Sequence, residues 1–182
     1  MTTQQNEGSG SSKDSSFETE LYRALRQIAA RHLGRESGNV TISPATLSHE
    51  AWIKLRGQDG FRNPARRHEF LALAGSAMRQ VLIERARARD AAKRIPRRML
   101  DSIDERSDMS DARMTSGELL LLDQALQRLA LIDAELVRVV EYRFFGGLSI
   151  EETAEVLACS TRTVNRHWTA ARAWLHRELS QA

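Results

Sequence analysis

The sequence predicts an all-α protein of two small helical bundles joined by a flexible linker. Apolar residues recur every three or four positions in several separate stretches, which is typical of amphipathic helices. No stretch shows the strict alternation of a strand, and a polar, acidic segment interrupts the pattern near the middle. The 182 residues suffice for one or two small domains. We expect a disordered tail at 1–16, a first domain at 17–93, a linker at 94–117 and a second domain at 118–182.

Three helices are predicted in the first domain. The first has an apolar face from Leu21 to Leu33. The second begins with Ser43 as cap and Pro44 at the first helical position, where the missing N–H costs nothing. The third runs from about Arg67 to Lys93, and its basic second half is expected to lie outside the core.

Two further helices are predicted after the linker. Leu119 to Leu131 has leucines on one face, and Asp133 can cap the helix that follows. Gly146 and Gly147 then end that helix.

The segment from Leu148 to Leu179 predicts a helix-turn-helix. Ser149 and Glu152 have the spacing of a capping box, and either Ser160 or Thr161 can cap the second helix. The inner face of this second helix is formed by residues at steps of four, three and four, namely Val164, Trp168, Ala171 and Leu175. Arginine and asparagine side chains at its exposed start match the geometry that places a recognition helix in the DNA major groove. The alternative is a helical hairpin with solvated arginines.

Charge is unevenly distributed along the chain. Residues 54–98 hold 13 Lys or Arg against 4 Asp or Glu, a balance of +9, whereas residues 101–123 hold 2 against 7, a balance of −5. A surface that binds a polyanion is therefore expected in the first segment. The acidic linker can mask that surface in the free protein through Asp104, Glu105 and Asp108.

Several classes of protein are disfavoured. The histidines lie on separate elements without metal-ligand spacing, and no phosphate-binding glycine loop or nucleophile elbow occurs, so we expect no enzyme, metal or cofactor. The single Cys159 fits a reducing cytosol. No apolar run is long enough to span a bilayer, and the N-terminus lacks the apolar centre of a signal peptide. A cytoplasmic protein that does not enter membranes is expected.

From about Phe17 to Leu179 the chain resembles bacterial RNA polymerase sigma factors of the short, extracytoplasmic-function type. The segment EYRFFGGLSIEETAEVLACSTRTVNRHWTAARAWL is similar to region 4, which binds the −35 promoter element. ATLSHEAWIKL resembles region 2.2, which docks on core polymerase, and RRHEFLALAGSAMRQVLIERARARDAAKR resembles regions 2.3 and 2.4, which melt the −10 element. Relatives usually have Gly at Ala158, Ile or Val at Cys159 and often Leu at Trp168. The resemblance implies core RNA polymerase and promoter DNA as partners.

The candidate residues for the −35 element lie on the second helix of the motif. Arg162 and Arg166 can offer paired donors to guanine, and Asn165 can bind adenine. Phosphate contacts are expected from Thr161, Thr163 and Arg172.

The candidate residues for the −10 element lie in and after a basic loop. By resemblance, this loop receives a flipped base, so Asn63 is a candidate to read it and Phe61 to stack on it; simple loop packing is the alternative for Phe61. Cationic candidates in the loop are Arg62, Arg66 and Arg67. Phosphate contacts are expected from Arg79, Arg85, Arg87 and Arg89, with a solvated charged face as the alternative.

The helix similar to region 2.2 supplies the candidates for polymerase binding. They are Leu47, Glu50, Trp52 and Lys54. Relatives usually have Asp and Glu where this chain has Ala45 and Thr46. A phosphate on Thr46, Ser43 or Ser48 would restore negative charge at the start of this helix, so a Ser/Thr kinase is a candidate partner, as is an anti-sigma factor. The alternative is that Ser43 and Thr46 only cap the helix.

Two functions remain open on the sequence. The first is a sigma factor that directs promoter recognition and transcription initiation, with phosphorylation as its switch. The second is a stand-alone helix-turn-helix transcriptional regulator, and an enzyme with a DNA-binding tail ranks third.

Overall fold

The computed structural model describes residues 9–33, 42–56, 67–90 and 114–181, with side chains from Thr19 in the first range and up to Arg89 in the third. Every regular element in these ranges is helical, which confirms the all-α fold class. The α-helices are α1 (Ser9–Leu33), α2 (Pro44–Arg56), α3 (Arg67–Asp90), α4 (Ser116–Ile132), α5 (Ala134–Val140), α6 (Ile150–Val156) and α7 (Thr161–Ser180). A π-helical segment, Glu141–Phe145, directly follows α5.

Helices α1, α2 and α3 form the N-terminal half of the molecule. Leu25, Leu47, Leu55 and Phe70 are fully buried between them, as the apolar periodicity predicts. Helix α1 begins at Ser9, inside the segment expected to be a disordered tail. No proline or glycine lies between Ser11 and Leu33, and extending an existing helix costs far less than nucleating one.

Helices α4 to α7 form the C-terminal half, and local capping sets where they begin. Thr115 and Glu118 make a capping box, so α4 begins at Ser116, inside the segment expected to be linker. Asp133 Oδ1 accepts from the backbone N–H of Glu135 at 2.9 Å and of Leu136 at 3.3 Å, as predicted for the cap of α5.

Helix α3 lies at the centre of the molecule and contacts both halves. It packs on α1 and α2 and also on α4, α6 and the π-helical segment. Ala86, in the basic second half of α3, is therefore buried, contrary to the expectation that this stretch lies outside the core. The buried apolar residues of both halves form one continuous cluster. The residues between the halves, 91–113, lie outside the described ranges, and so do Asp104, Glu105 and Asp108.

Candidate nucleic-acid interface

Helices α6 and α7 are joined by a four-residue turn whose two ends are capped. Ser149 caps α6, and its capping box with Glu152 is complete, as predicted. Ser160 caps α7 by accepting a hydrogen bond from the backbone N–H of Thr163, so Thr161 is the first helical residue rather than the cap. Ala158 in the turn has a positive φ of 50°. This left-handed conformation favours glycine over a residue with a β-carbon.

Helix α7 separates a packed face from an exposed one. The predicted inner residues Val164, Trp168, Ala171 and Leu175 are all buried. A cation–π contact supports this face, with the Arg143 guanidinium 4.6 Å from the centre of the Trp168 ring. These buried contacts therefore hold α7, including its capped start, against the rest of the C-terminal half.

The predicted −35 residues lie on the outer face of α7. Arg162, Asn165 and Arg166 are exposed, and within the described ranges their side chains make no hydrogen bond or ion pair. Thr161 is also exposed, whereas Thr163 and Arg172 are half-buried. The Thr163 hydroxyl lies 2.9 Å from Ser160 Oγ and so belongs to the cap of the helix.

The predicted −10 residues differ from the −35 residues, because some lie outside the described ranges and others pair with carboxylates. Phe61, Arg62, Asn63 and Arg66 lie outside the described ranges. Among the −10 residues that the structure describes, Arg89 is half-buried, and four others pair with carboxylates. These pairs are Arg67 with Glu152, Arg79 with Asp123 and Glu141, Arg85 with Glu50, and Arg87 with Asp123.

Arg79 shows the largest difference from the sequence-based expectation of a solvent-facing phosphate contact. Its side chain is only 13% exposed, and its guanidinium donates to Asp123 at 2.8 Å and to Glu141 at 2.7 Å. In this arrangement a DNA phosphate has no access to Arg79, because the carboxylates occupy its donors.

The predicted polymerase-binding residues divide between core and surface. Leu47 is fully buried and holds α2 in place rather than facing a partner. Trp52 packs edge-on against Tyr22, with ring centres 6.0 Å apart. Glu50 accepts a hydrogen bond from Arg85 Nε at 2.8 Å, and Lys54 Nζ lies 2.8 Å from Glu84.

Ile53 is a candidate contact that the sequence analysis did not identify. It is 57% exposed on α2 and is the exposed large apolar residue of the N-terminal half within the described ranges. The signal was present, since Ile53 is out of phase with the inner stripe Leu47, Ala51 and Leu55.

The three candidate phosphorylation sites differ in access. Ser43 and Thr46 are exposed, and their hydroxyl oxygens lie 3.0 Å apart. Ser43 Oγ also accepts from the Thr46 backbone N–H at 3.1 Å, as a cap of α2 does. Ser48 is fully buried, and its hydroxyl donates to the Ala45 carbonyl at 2.9 Å. A kinase cannot reach Ser48 while α2 is folded.

Burial changes the electrostatics where the end of α1 meets the C-terminal half. Burial, and secondarily the positive charge of Arg67, lowers the pKa of Arg31. The Arg31 guanidinium lies over Gly147, where any β-carbon would collide with it.

None of the helices that the structure describes is long and apolar enough to cross a membrane.

Two capped helices joined by a short turn, with exposed Arg and Asn side chains on the second, are typical of DNA-binding proteins. The family model described as ECF sigma factor matches residues 1–181. The chain belongs to this family and is a sigma factor of transcription initiation, whose partners are core RNA polymerase and promoter DNA. No curated protein and no solved structure matches the chain.

Proposed function

We propose that α7 reads the −35 promoter element while the N-terminal half docks on polymerase and engages the −10 element. The observation that carries this proposal is the exposed row Arg162, Asn165 and Arg166 above a packed inner face. Arg and Asn can pair with base edges in the major groove, and a rigid helix delivers them at fixed spacing. The protein works without catalysis, in the cytoplasm, where polymerase and chromosome are found.

The assignment of α7 is tested with reconstituted polymerase. Run-off transcription from a library randomised at the −35 element first establishes which sequences wild type prefers. Arg166→Ala is expected to lose about 1–3 kcal/mol of discrimination at one base position, because a paired contact is removed. Arg177→Ala, exposed in the last turn of α7, serves as the control and leaves the preference unchanged. Identical preferences for wild type and Arg166→Ala would contradict the assignment.

Docking on polymerase is assigned to the outer face of α2. Ile53 supplies exposed apolar area, and Glu50 supplies a carboxylate at the rim of the same helix. Trp52 and Leu47 support this face from within the fold. Phe61 and Asn63 remain the proposed pair for the flipped −10 base, with Arg62 and Arg66 beside them.

Phosphorylation at the start of α2 is proposed as the switch for polymerase binding. The first turn of α2 contains no acidic residue, and within the described ranges the Ser43 hydroxyl caps its positive dipole end. Thr46 stands at the third helical position, where an acidic side chain can complete a capping box with Ser43. A phosphate on exposed Thr46 or Ser43 would supply the negative charge that Ala45 and Thr46 lack. The phosphate would stabilise the first turn of α2 and would also attract a basic surface of polymerase.

The switch is tested by measuring affinity for core polymerase. A chain phosphorylated at Thr46 and the Thr46→Glu variant are compared with wild type and Thr46→Ala. One exposed ion pair between the carboxylate introduced by Thr46→Glu and a basic polymerase surface is worth about 0.2–1 kcal/mol, so this variant is expected to bind up to about fivefold tighter. Gln27 is exposed on α1, so Gln27→Glu adds the same charge away from α2 and controls for the change in net charge. Equal affinity of the phosphorylated and unmodified chains would rule the switch out.

The stand-alone regulator makes the opposite prediction for the free protein. It would bind its duplex site tightly without polymerase, and usually as a dimer on a palindrome. A sigma factor divides its affinity between two modules and gains strength only when polymerase holds both. A mobility-shift titration on the selected promoter, with and without core enzyme, distinguishes the two.

A further inference from the structure

The middle and end of α3 face carboxylates of the C-terminal half. Arg79 is held by Asp123 on one side and Glu141 on the other, and Asp123 also lies 3.4 Å from Arg87. Asp123 is 6% exposed and accepts a further hydrogen bond from Gln127 at 2.7 Å. This carboxylate is therefore positioned by its own helix to bind the two arginines.

The start of α3 meets carboxylates of the same half. Arg67 Nη1 lies 2.9 Å from Glu152, and His68 Nε2 lies 3.5 Å from Glu155. Both carboxylates belong to α6, the first helix of the helix-turn-helix. Acidic groups of the C-terminal half thus pair with basic residues at the start, in the middle and near the end of α3, whereas Arg85 pairs with Glu50 of the N-terminal half.

A glycine contact shows that the two halves fit closely and are not held by charge alone. A β-carbon on Gly75, in the middle of α3, would lie 2.6 Å from the Glu141 carbonyl oxygen. On the other side, a β-carbon on Gly146 would lie 2.6 Å from the Leu71 carbonyl oxygen. Glycine inside a helix weakens that helix, yet only glycine permits this approach of two backbones. Gly75 therefore serves the contact between the halves.

We propose that this arrangement is a closed, autoinhibited form in which Asp123, Glu141, Glu152 and Glu155 occupy the sites of DNA phosphates on α3. The inference rests on the proposed function of α3 as a DNA-binding helix. Neither the buried pair of Arg79 nor the exposed pair of Arg67 adds much net stability, because desolvation or solvent screening offsets the attraction. Exchange of the carboxylates for phosphates is therefore feasible once polymerase or DNA separates the halves. The −35 face of α7 stays exposed in the closed form, so only the −10 helix is masked.

Two variants open the closed form by different routes. Asp123→Asn removes the charge that holds Arg79 and Arg87, and Gly75→Ala inserts a methyl group into the backbone contact. Gly75→Ala also raises the helix propensity of α3, so this variant is expected to fold even if Asp123→Asn does not. Glu151→Gln is the control, since Glu151 is an exposed carboxylate of α6 that pairs with none of the α3 side chains described.

Two measurements are made on the full-length free protein. Spin labels at Gln27→Cys on α1 and Ala173→Cys on α7, in a Cys159→Ser background, report the distance between the halves. Fluorescence anisotropy with a random single-stranded oligonucleotide reports whether α3 is available to phosphates. Arg79 and Arg87 together would add two phosphate contacts, which steepens the log–log salt slope by about 1.4 and tightens binding about tenfold at low salt.

The outcomes separate this inference from the proposed function. A longer, broader distance together with tighter oligonucleotide binding in both opening variants, and neither change in Glu151→Gln, supports the closed form. An unchanged distance, or a longer distance with unchanged oligonucleotide binding, overturns it. Run-off transcription by wild type with core polymerase is scored in parallel. A transcript that starts at the selected promoter would support the proposed function even if the closed form is ruled out.

Discussion

Ala158 is the residue whose backbone geometry conflicts most clearly with its side chain. It lies at φ 50° in the turn between α6 and α7, a conformation that costs a residue with a β-carbon about 1–2 kcal/mol. The turn nevertheless forms, because Ser149 and Ser160 cap the helices on either side and Ala154 and Val164 are buried between them.

Ala158→Gly is expected to stabilise the protein by about 1 kcal/mol, because glycine adopts this conformation without strain. The free energy of unfolding is measured by urea titration. Ala170→Gly provides the matched control, since Ala170 is exposed within α7 and glycine there is expected to destabilise by about 1 kcal/mol. The same Ala→Gly change is therefore expected to raise the free energy of unfolding at position 158 and to lower it at position 170. A loss of stability in both variants would contradict the prediction.

Ser43, Thr46 and Ser48 show how burial separates residues that look equivalent in sequence. All three lie within six positions of one another at the start of α2. The hydroxyl of Ser48 points into the core and bonds a backbone carbonyl, whereas Ser43 and Thr46 face solvent. Helical periodicity already indicates this difference, since Ser48 lies three residues before Ala51 and seven before Leu55 on the inner stripe of the helix.

At the scale of single elements, local sequence accounts for where the helices begin. The caps at Thr115, Asp133, Ser149 and Ser160 each accept a backbone N–H within three residues. Such contacts depend only on neighbouring residues, so the predicted caps at Asp133 and Ser149 agree with the structure. Thr115 lies within the polar stretch for which the sequence predicts a linker, so its capping role does not follow from the sequence pattern.

Ser160→Ala is expected to destabilise the protein by about 1 kcal/mol, because the first turn of α7 loses its cap. The same loss reduces affinity for the −35 element, since Arg162 lies in that turn. Ser180→Ala at the other end of α7 is the matched control, as its hydroxyl only donates to the His176 carbonyl at 2.6 Å. Unfolding by urea and transcription from the selected promoter are measured for both. Equal effects of the two substitutions would contradict the role of the cap.

Helix α3 differs most from what its own sequence indicates. Its high content of arginine favours an exposed helix, yet apolar side chains are buried on several of its faces. The reason is its central position, with helices of both halves packed around it. The arginines remain compatible with this position because carboxylates from other helices pair with most of them.

At the scale of the whole molecule, one core extends through both halves, so unfolding is expected to be cooperative. Tryptophan reports each half separately, because Trp52 lies in the N-terminal half while Trp168 and Trp174 lie in the C-terminal half. Trp52→Phe leaves the C-terminal reporters, and the double variant Trp168→Phe, Trp174→Phe leaves the N-terminal one. Within each variant, the fluorescence of the remaining tryptophan or tryptophans and the circular dichroism are expected to share one urea midpoint.

Adding Gly75→Ala to both reporter variants is expected to separate the midpoints, because the contact between the halves is lost. Each half alone buries little apolar surface and is only modestly stable. Circular dichroism of the native state controls for loss of helix. A shared midpoint that persists with Gly75→Ala would contradict a contact through the glycines.

The sequence alone determined the helical class, the caps at Ser149 and Asp133 and the outward face of α7, because these depend on contacts within a few residues. Only the tertiary structure decided which charges are available. The partners of Arg79 and Arg67 lie 44 and 85 positions away in the chain, so no local pattern identifies them. The sequence does not show whether an arginine pairs with a phosphate or with a carboxylate. The packing of the two halves around α3 makes that distinction.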